Sequence, residues 1–257
     1  MPKPPGRCIF CDGTGMSKEH LFADWLRELF PHTQNDTHTL GESVGNEPFK
    51  LKRGSGHSGT KTIKTVCRTC NSVWINHIDD AAKYVATPLI KGEQTLVTPD
   101  MQRILARWFA KITMVADTRK RDKSHIPQSV RTTFKGTREP PPSWEIWMGS
   151  YNGTEYRNLA LLQRGGRLKP LDITPVSGPT ETIGYLQSTF LGLGGVAVLV
   201  IGNDVPRYRF NVGRLPEYAA RIWPVGDAFQ WPRGKVIDDA TAQAVANILN
   251  EMTYRPR

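Results

Sequence analysis

The four cysteines of this 257-residue chain stand as two C-x-x-C pairs, Cys8–Cys11 (CIFC) and Cys67–Cys70 (CRTC), with no cysteine elsewhere. Two residues between thiolates let one tight turn present both sulfurs to a single ion, and two such turns complete a tetrahedral Cys₄ zinc site. This spacing constrains the fold more than any other feature, because it fastens the start of the chain to a segment that begins at Cys67. Four thiolates leave no open coordination position, so Zn²⁺ held there is structural. Two disulfides would require an oxidising compartment. A redox C-x-x-C is expected as one active pair at the start of a helix after a strand, and here there are two pairs.

Charge sets the class of partner. Lys plus Arg number 34 against 24 Asp plus Glu, a formal charge of +10 with a pI near 9.6, which favours an anionic partner: DNA first, RNA second. The excess is +1 up to Asp80 and +9 beyond it. With 39% hydrophobic and 23% charged residues, the chain is ordinary globular material and not a disordered polyelectrolyte. The N-terminus MPKPPGRCIF has no apolar core of a signal peptide. The longest apolar run, Leu191–Ile201, is about half of the ~20 residues a spanning helix needs. A soluble, cytoplasmic protein with no membrane contact is expected. Gly192, Gly194 and Ala197 in that run match G-x-G-x-x-A, but they lead into VAVLVIG, which reads as a buried strand and not as a helix aimed at phosphate.

Between the pairs lies Ser17-Lys18-Glu19-His20, then Leu21-Phe22-Ala23-Asp24-Trp25-Leu26, and directly after Cys70 comes Asn71. A C-x-x-C, an acidic-His pair, and a second C-x-x-C followed by Asn or His resemble the HNH endonucleases, the ββα-metal or His-Me finger nucleases, over about residues 8 to 80. The resemblance implies His20 as general base, with Glu19 and Asn71 holding one catalytic divalent cation such as Mg²⁺. The residue types suit those roles: a neutral imidazole takes a proton from water at working pH, and a hard cation prefers carboxylate and amide oxygens. It further implies hydrolysis of DNA phosphodiester bonds to leave 5′-phosphate and 3′-hydroxyl ends, in a phage, mobile-element or defence setting. The family's middle Asn, which pins the loop carrying the base, has no counterpart in Thr62-Ile63-Lys64-Thr65-Val66. A substitute is sought in Thr62 or in the spacer with His32, Asn35, His38, Asn46 and His57. Glu19-His20 with Trp25, and Asn71 followed by Trp74 and Ile78-Asp79, are also similar to a group of bacterial and phage HNH-type proteins of unassigned function.

The helix after the second knuckle, SVWINHIDDAAKYVA, carries Trp74, Ile78, Ala81 and Val85 at helical spacing, a packing face. Asn71 is also a candidate N-cap. His77 falls on another face as a solvated side chain. Asp79 lies ~12 Å along the axis from Asn71, too far for the same ion, and is expected in packing contacts. Thr98-Pro99-Asp100 signals another helix start. In that helix Met101, Ile104, Leu105, Trp108, Ile112 and Val115 form the apolar stripe, while Arg103, Arg107 and Lys111 recur every four residues on a face open to phosphates. A second basic cluster, Lys50, Lys52, Arg53, Lys61 and Lys64, lies in the spacer beside the expected site. Beyond Glu139-Pro140-Pro141-Pro142, short strands are expected at 143–147, 156–162, 182–190 and 195–201, and a closing helix at 238–252 capped by Asp238 or Asp239. Trp144, Trp147, Trp223 and Trp231 read as core.

The expected fold class is α+β: an N-terminal zinc-stapled ββα-metal module over 1–95, then helices and a mixed α+β C-terminal domain over 96–257 that grips nucleic acid, binds a partner or mediates a homodimer. Two alternatives remain open, a non-catalytic zinc-ribbon nucleic-acid-binding or regulatory protein with a degenerate HNH motif, and a thiol redox protein.

Overall fold

A computed structural model describes residues 6–31, 37–44, 50–55, 61–119, 124–168, 184–205, 208–247 and 252–254. The chain is mixed α+β. Near its start, β1 (Met16–His20) is joined through the one-turn helix α1 (Leu26–Leu29) to the hairpin β2 (Thr37–Val44) and β3 (Lys50–Ser55), followed by β4 (Thr62–Cys67). β1 and β4 pair antiparallel, with Met16 opposite Cys67 and His20 opposite Thr62. β4 runs straight into a helical segment: α2 (Arg68–Cys70), a π turn over Asn71–Ile75, and α3 (Asn76–Lys91), which stops at Gly92 in the left-handed conformation (φ 79°).

The second knuckle opens this helix. Cys67 is the N-cap, its sulfur accepting from the backbone N–H of Cys70 at 3.5 Å, so Asn71 does not cap the helix and sits inside the π turn. Of the expected packing face, Trp74 and Ile78 are buried, but Ala82 replaces Ala81 in the core. The π turn adds a residue to one turn and rotates the positions that follow.

β5 (Thr95–Val97) then leads to α4 (Pro99–Ala116), with Thr98 as N-cap accepting from the Met101 N–H at 3.3 Å and Pro99 in the first turn, as the sequence signal predicts. α4 is more deeply placed than a one-sided stripe allows: from Leu105 to Ala116 only Arg107 is not buried. One side packs on α3, and another lies toward a seven-stranded sheet. That sheet has the order β10-β6-β9-β8-β7-β2-β3, with β6 (Glu145–Ser150), β7 (Ala160–Leu168), β8 (Gly184–Leu193), β9 (Val196–Asn203) and β10 (Ala219–Trp223). β9 is buried at every residue, and Gly194–Gly195 form the turn before it. The glycine pattern is therefore a hairpin, as its β-branched sequel indicates.

The boundary expected at 95/96 does not separate two cores. The spacer hairpin β2–β3 joins the large sheet, β2 pairing in parallel with β7. One hydrophobic cluster runs from Cys8 and Phe10 through Trp74 and Trp108 to Trp144 and Trp231. Trp25 stacks on Trp108 at 5.4 Å and donates its indole N–H to the Asp79 carbonyl at 3.1 Å. The closing helix is shorter than expected, Asp239–Ala246, with Asp238 as N-cap. Asp239 instead accepts from the Tyr151 hydroxyl and the Thr154 and Glu155 backbone N–H groups. Among the described residues no helix is long and apolar enough to cross a membrane.

Candidate functional site

The first knuckle is a tight loop closed by the Cys8 N–H to the Gly13 carbonyl and the Asp12 N–H to the Cys8 carbonyl, both 2.9 Å. It is sewn to the second by Ile9 N–H to Thr65 O and Arg68 N–H to Gly15 O, both 3.0 Å. The sulfurs of Cys8, Cys11, Cys67 and Cys70 lie within 4.8 Å of one another. A tetrahedron with Zn–S of about 2.3 Å needs sulfurs ~3.8 Å apart, so the four can hold a structural metal ion such as zinc. The donor chemistry agrees. Burial pushes the Cys70 thiol up to about 12 and raises Cys8 as well, whereas at Cys67 burial is outweighed by hydrogen bonds from Cys70 and the neighbouring thiols, which lower it, so a bound cation would favour the thiolate forms of Cys8 and Cys70. Arg138 lies over the Trp74 ring at 4.4 Å and adds positive charge near Cys70.

β1 carries Glu19 and His20 away from this knuckle. The Asn71 side-chain amide donates to Ser17 Oγ at 3.0 Å and to the Lys18 carbonyl at 3.1 Å. It therefore pins the strand that carries His20, the work the resemblance gives to the absent middle Asn. Of the spacer candidates for that work, His32, Asn35, Asn46 and His57 lie outside the described residues, as does the side chain of His38.

His20 sits at the end of β1 with its side chain one-third exposed. Arg27 Nη2 is 3.2 Å from His20 Nε2 and 2.8 Å from Asp24 Oδ1, which is 3.7 Å from the same ring nitrogen. A guanidinium only donates, so this contact fits a neutral ring with its lone pair on Nε2. Burial lowers the His20 pKa and prevails over the opposing pull of Asp24, with Arg27 and Lys111 acting in the same direction as burial. The imidazole is neutral at neutral pH and able to accept a proton. Asp24 and Arg27 were not read as site residues, although their i+4 and i+7 spacing from His20 is a local signal.

Glu19 points the other way, into the interior, and is 3% exposed. Its Oε1 meets Lys111 Nζ at 3.2 Å, and the same ammonium lies 2.8 and 3.0 Å from the two carboxylate oxygens of Asp79. Two expectations are corrected by this one contact. Lys111 is not on a phosphate-tracking face, because α4 is buried between α3 and the sheet and the lysine is fully enclosed. Glu19 does not fit as an open ligand for a catalytic divalent cation, because its carboxylate is buried and already neutralised by an ammonium. Burial raises the Glu19 pKa despite Lys111. Burial also opposes the Lys111 charge, but Asp79 and Glu19 outweigh it and hold its pKa above the ordinary lysine value. The Mg²⁺ implied by the resemblance therefore finds no fitting carboxylate at Glu19.

The other predicted cations divide. Arg103 pairs with Asp100 at 3.1 Å and approaches Glu139, and Arg107 pairs with Glu139, so neither is a free phosphate contact. Arg107 instead lines a cleft of about 360 Å³ between α3 and α4 with Trp74, His77, Ile104 and Arg138. Lys61 is exposed, and its carbonyl accepts the Leu21 N–H at 2.9 Å, which places it beside the His20 end of the β1–β4 ladder. Lys64 is exposed on the same β4 strand. The side chains of Lys50, Lys52 and Arg53 lie outside the described residues, although the β3 backbone that bears them is described.

Comparison with known proteins finds no matching family model, no matching curated protein and no matching solved structure.

Proposed function

We propose that this chain hydrolyses phosphodiester bonds in nucleic acid, DNA ahead of RNA, at the His20 end of β1. The observation that carries the reading is a neutral, one-third-exposed imidazole on a strand paired to the metal-knuckle strand and pinned by Asn71. Water attacks phosphorus while His20 Nε2, released by Arg27 as the guanidinium turns to the bound phosphate, takes its proton, and the P–O3′ bond breaks as the departing oxygen is protonated from solvent. Arg27, 44% exposed and beside Nε2, compensates the charge gathering on the phosphate oxygens. Lys61 adds a phosphate contact that carries no sequence information. Glu19 enters this reading only as an anchor of β1, through Lys111.

A second reading, a non-catalytic zinc-ribbon nucleic-acid-binding or regulatory protein, is favoured by one observation: the carboxylate next to His20 is withdrawn into an ion pair. Nicking of supercoiled plasmid at low salt, where phosphate contacts are least screened, separates the two. The base must be unprotonated, so the nicking rate is expected to rise with pH, to pass its midpoint below the ordinary histidine value of 6.5, and to level off at neutral pH. Retention of plasmid in a gel shift with no nicking at any pH establishes the second reading instead.

A further inference from the structure

The carboxylates of Glu19 and Asp79 come from β1 and α3, and both close on one nitrogen delivered by α4. Lys111 is fully buried, Glu19 is 3% exposed, and the Asp79 side chain is 16% exposed. A divalent ion shared by these carboxylates would stand about 2.0–2.6 Å from its oxygens. The ammonium already occupies that gap, 2.8 to 3.2 Å from oxygens on both sides. Two cations cannot share it: they would repel at close range in a medium that screens poorly. The backbone around the gap is held independently. Asn71 fixes β1 through Lys18, and Trp25 fixes α3 through the Asp79 carbonyl, so the backbone that bears the two carboxylates is held by bonds that do not involve Lys111.

We propose that Lys111 is the resident cation of this site: its ammonium stands where a divalent ion would bridge Glu19 and Asp79, so the native chain binds no Mg²⁺ or Mn²⁺ there, and removing the lysine side chain opens a divalent-cation site made by those two residues. The inference concerns ion occupancy and goes beyond the proposed hydrolysis. Mn²⁺ binding is read without nucleic acid, so failure of the cleavage reading leaves this test intact.

The experiment is a Mn²⁺ titration of the metal-loaded, full-length protein, followed by the electron paramagnetic resonance signal of free Mn²⁺. Wild type and Glu19→Gln are expected to give the same titration, with no saturable site that depends on Glu19. Lys111→Ala is expected to take up one saturable Mn²⁺ that wild type does not, and to lose it again when Asp79→Asn is added. Wild-type protein that binds one Mn²⁺ and loses it in Glu19→Gln would overturn the proposal, as would folded Lys111→Ala that gains no site. The wild-type and Glu19→Gln arm keeps its force even if Lys111→Ala does not fold, because Glu19→Gln leaves the Lys111–Asp79 pair in place.

Discussion

Cys70→Ser, or removal of metal by a chelator, is expected to cost this protein most of the order in its first third. The sulfurs within 4.8 Å of one another are the junction of the first loop, β1, β4 and the helix that starts at Cys67. In isolated zinc-finger peptides the metal supplies roughly 10–16 kcal/mol of apparent binding energy, which is also folding energy. Here the knuckles are backed by a shared core that includes Phe10, Leu21 and Trp74, so the expected loss is smaller, several kcal/mol. Thermal unfolding followed by far-UV circular dichroism, with zinc content measured on the same samples, checks this. A metal-free protein that melts at the temperature of the metal-loaded one would mean that hydrogen bonds and packing alone hold the knuckles.

Lys111→Met carries the next largest effect. The substitution keeps an unbranched side chain of similar length but removes the ammonium that opposes Glu19 and Asp79 on this contact. Breaking a buried ion pair from one side leaves an uncompensated charge and costs about 3–5 kcal/mol. The loss should shrink in acid. With the lysine gone, burial and the neighbouring Asp79 charge hold the folded-state Glu19 pKa above its unfolded value with nothing from Lys111 to oppose them, so the variant gains a proton on folding and its stability falls as pH rises through that raised value. Urea unfolding at pH 5 and pH 7 is expected to show the larger deficit at pH 7. Glu19→Gln added to Lys111→Met should recover part of the loss, a coupling that independent sites would not show. An additive double variant would indicate that the ammonium and Glu19 do not act together.

The parts of the fold that local sequence determines were legible. C-x-x-C spacing is a property of one turn, and both knuckles form. Thr98-Pro99 starts a helix because a hydroxyl acceptor and a preset φ act within one turn, and β9 reads as a strand because VAVLVIG is apolar and rich in β-branched residues. What local pattern could not show is which face of an element meets which other. Arg103, Arg107 and Lys111 are equivalent by spacing, yet α4 enters the interior after its first turns, and position 111 is charged only because Glu19 and Asp79, 92 and 32 residues away, converge on it. The partner of Asp79 is likewise non-local, an ammonium delivered by another helix. The parallel pairing of β2 with β7 is equally non-local, and it is why the boundary drawn at residue 95 does not divide the core. At the candidate site the identity of His20 came from motif order, while the role of Asn71 as a strand pin is a matter of tertiary hydrogen bonds.

The most direct test of the account is nicking of supercoiled plasmid at pH 7 and low salt by wild type and His20→Ala, prepared in parallel and matched for zinc content and melting temperature. His20 makes its contacts at a partly exposed strand end, so the substitution should leave the fold intact while slowing cleavage by about 10²–10⁴-fold. Equal nicking by the two proteins would contradict the assignment of His20 as the base.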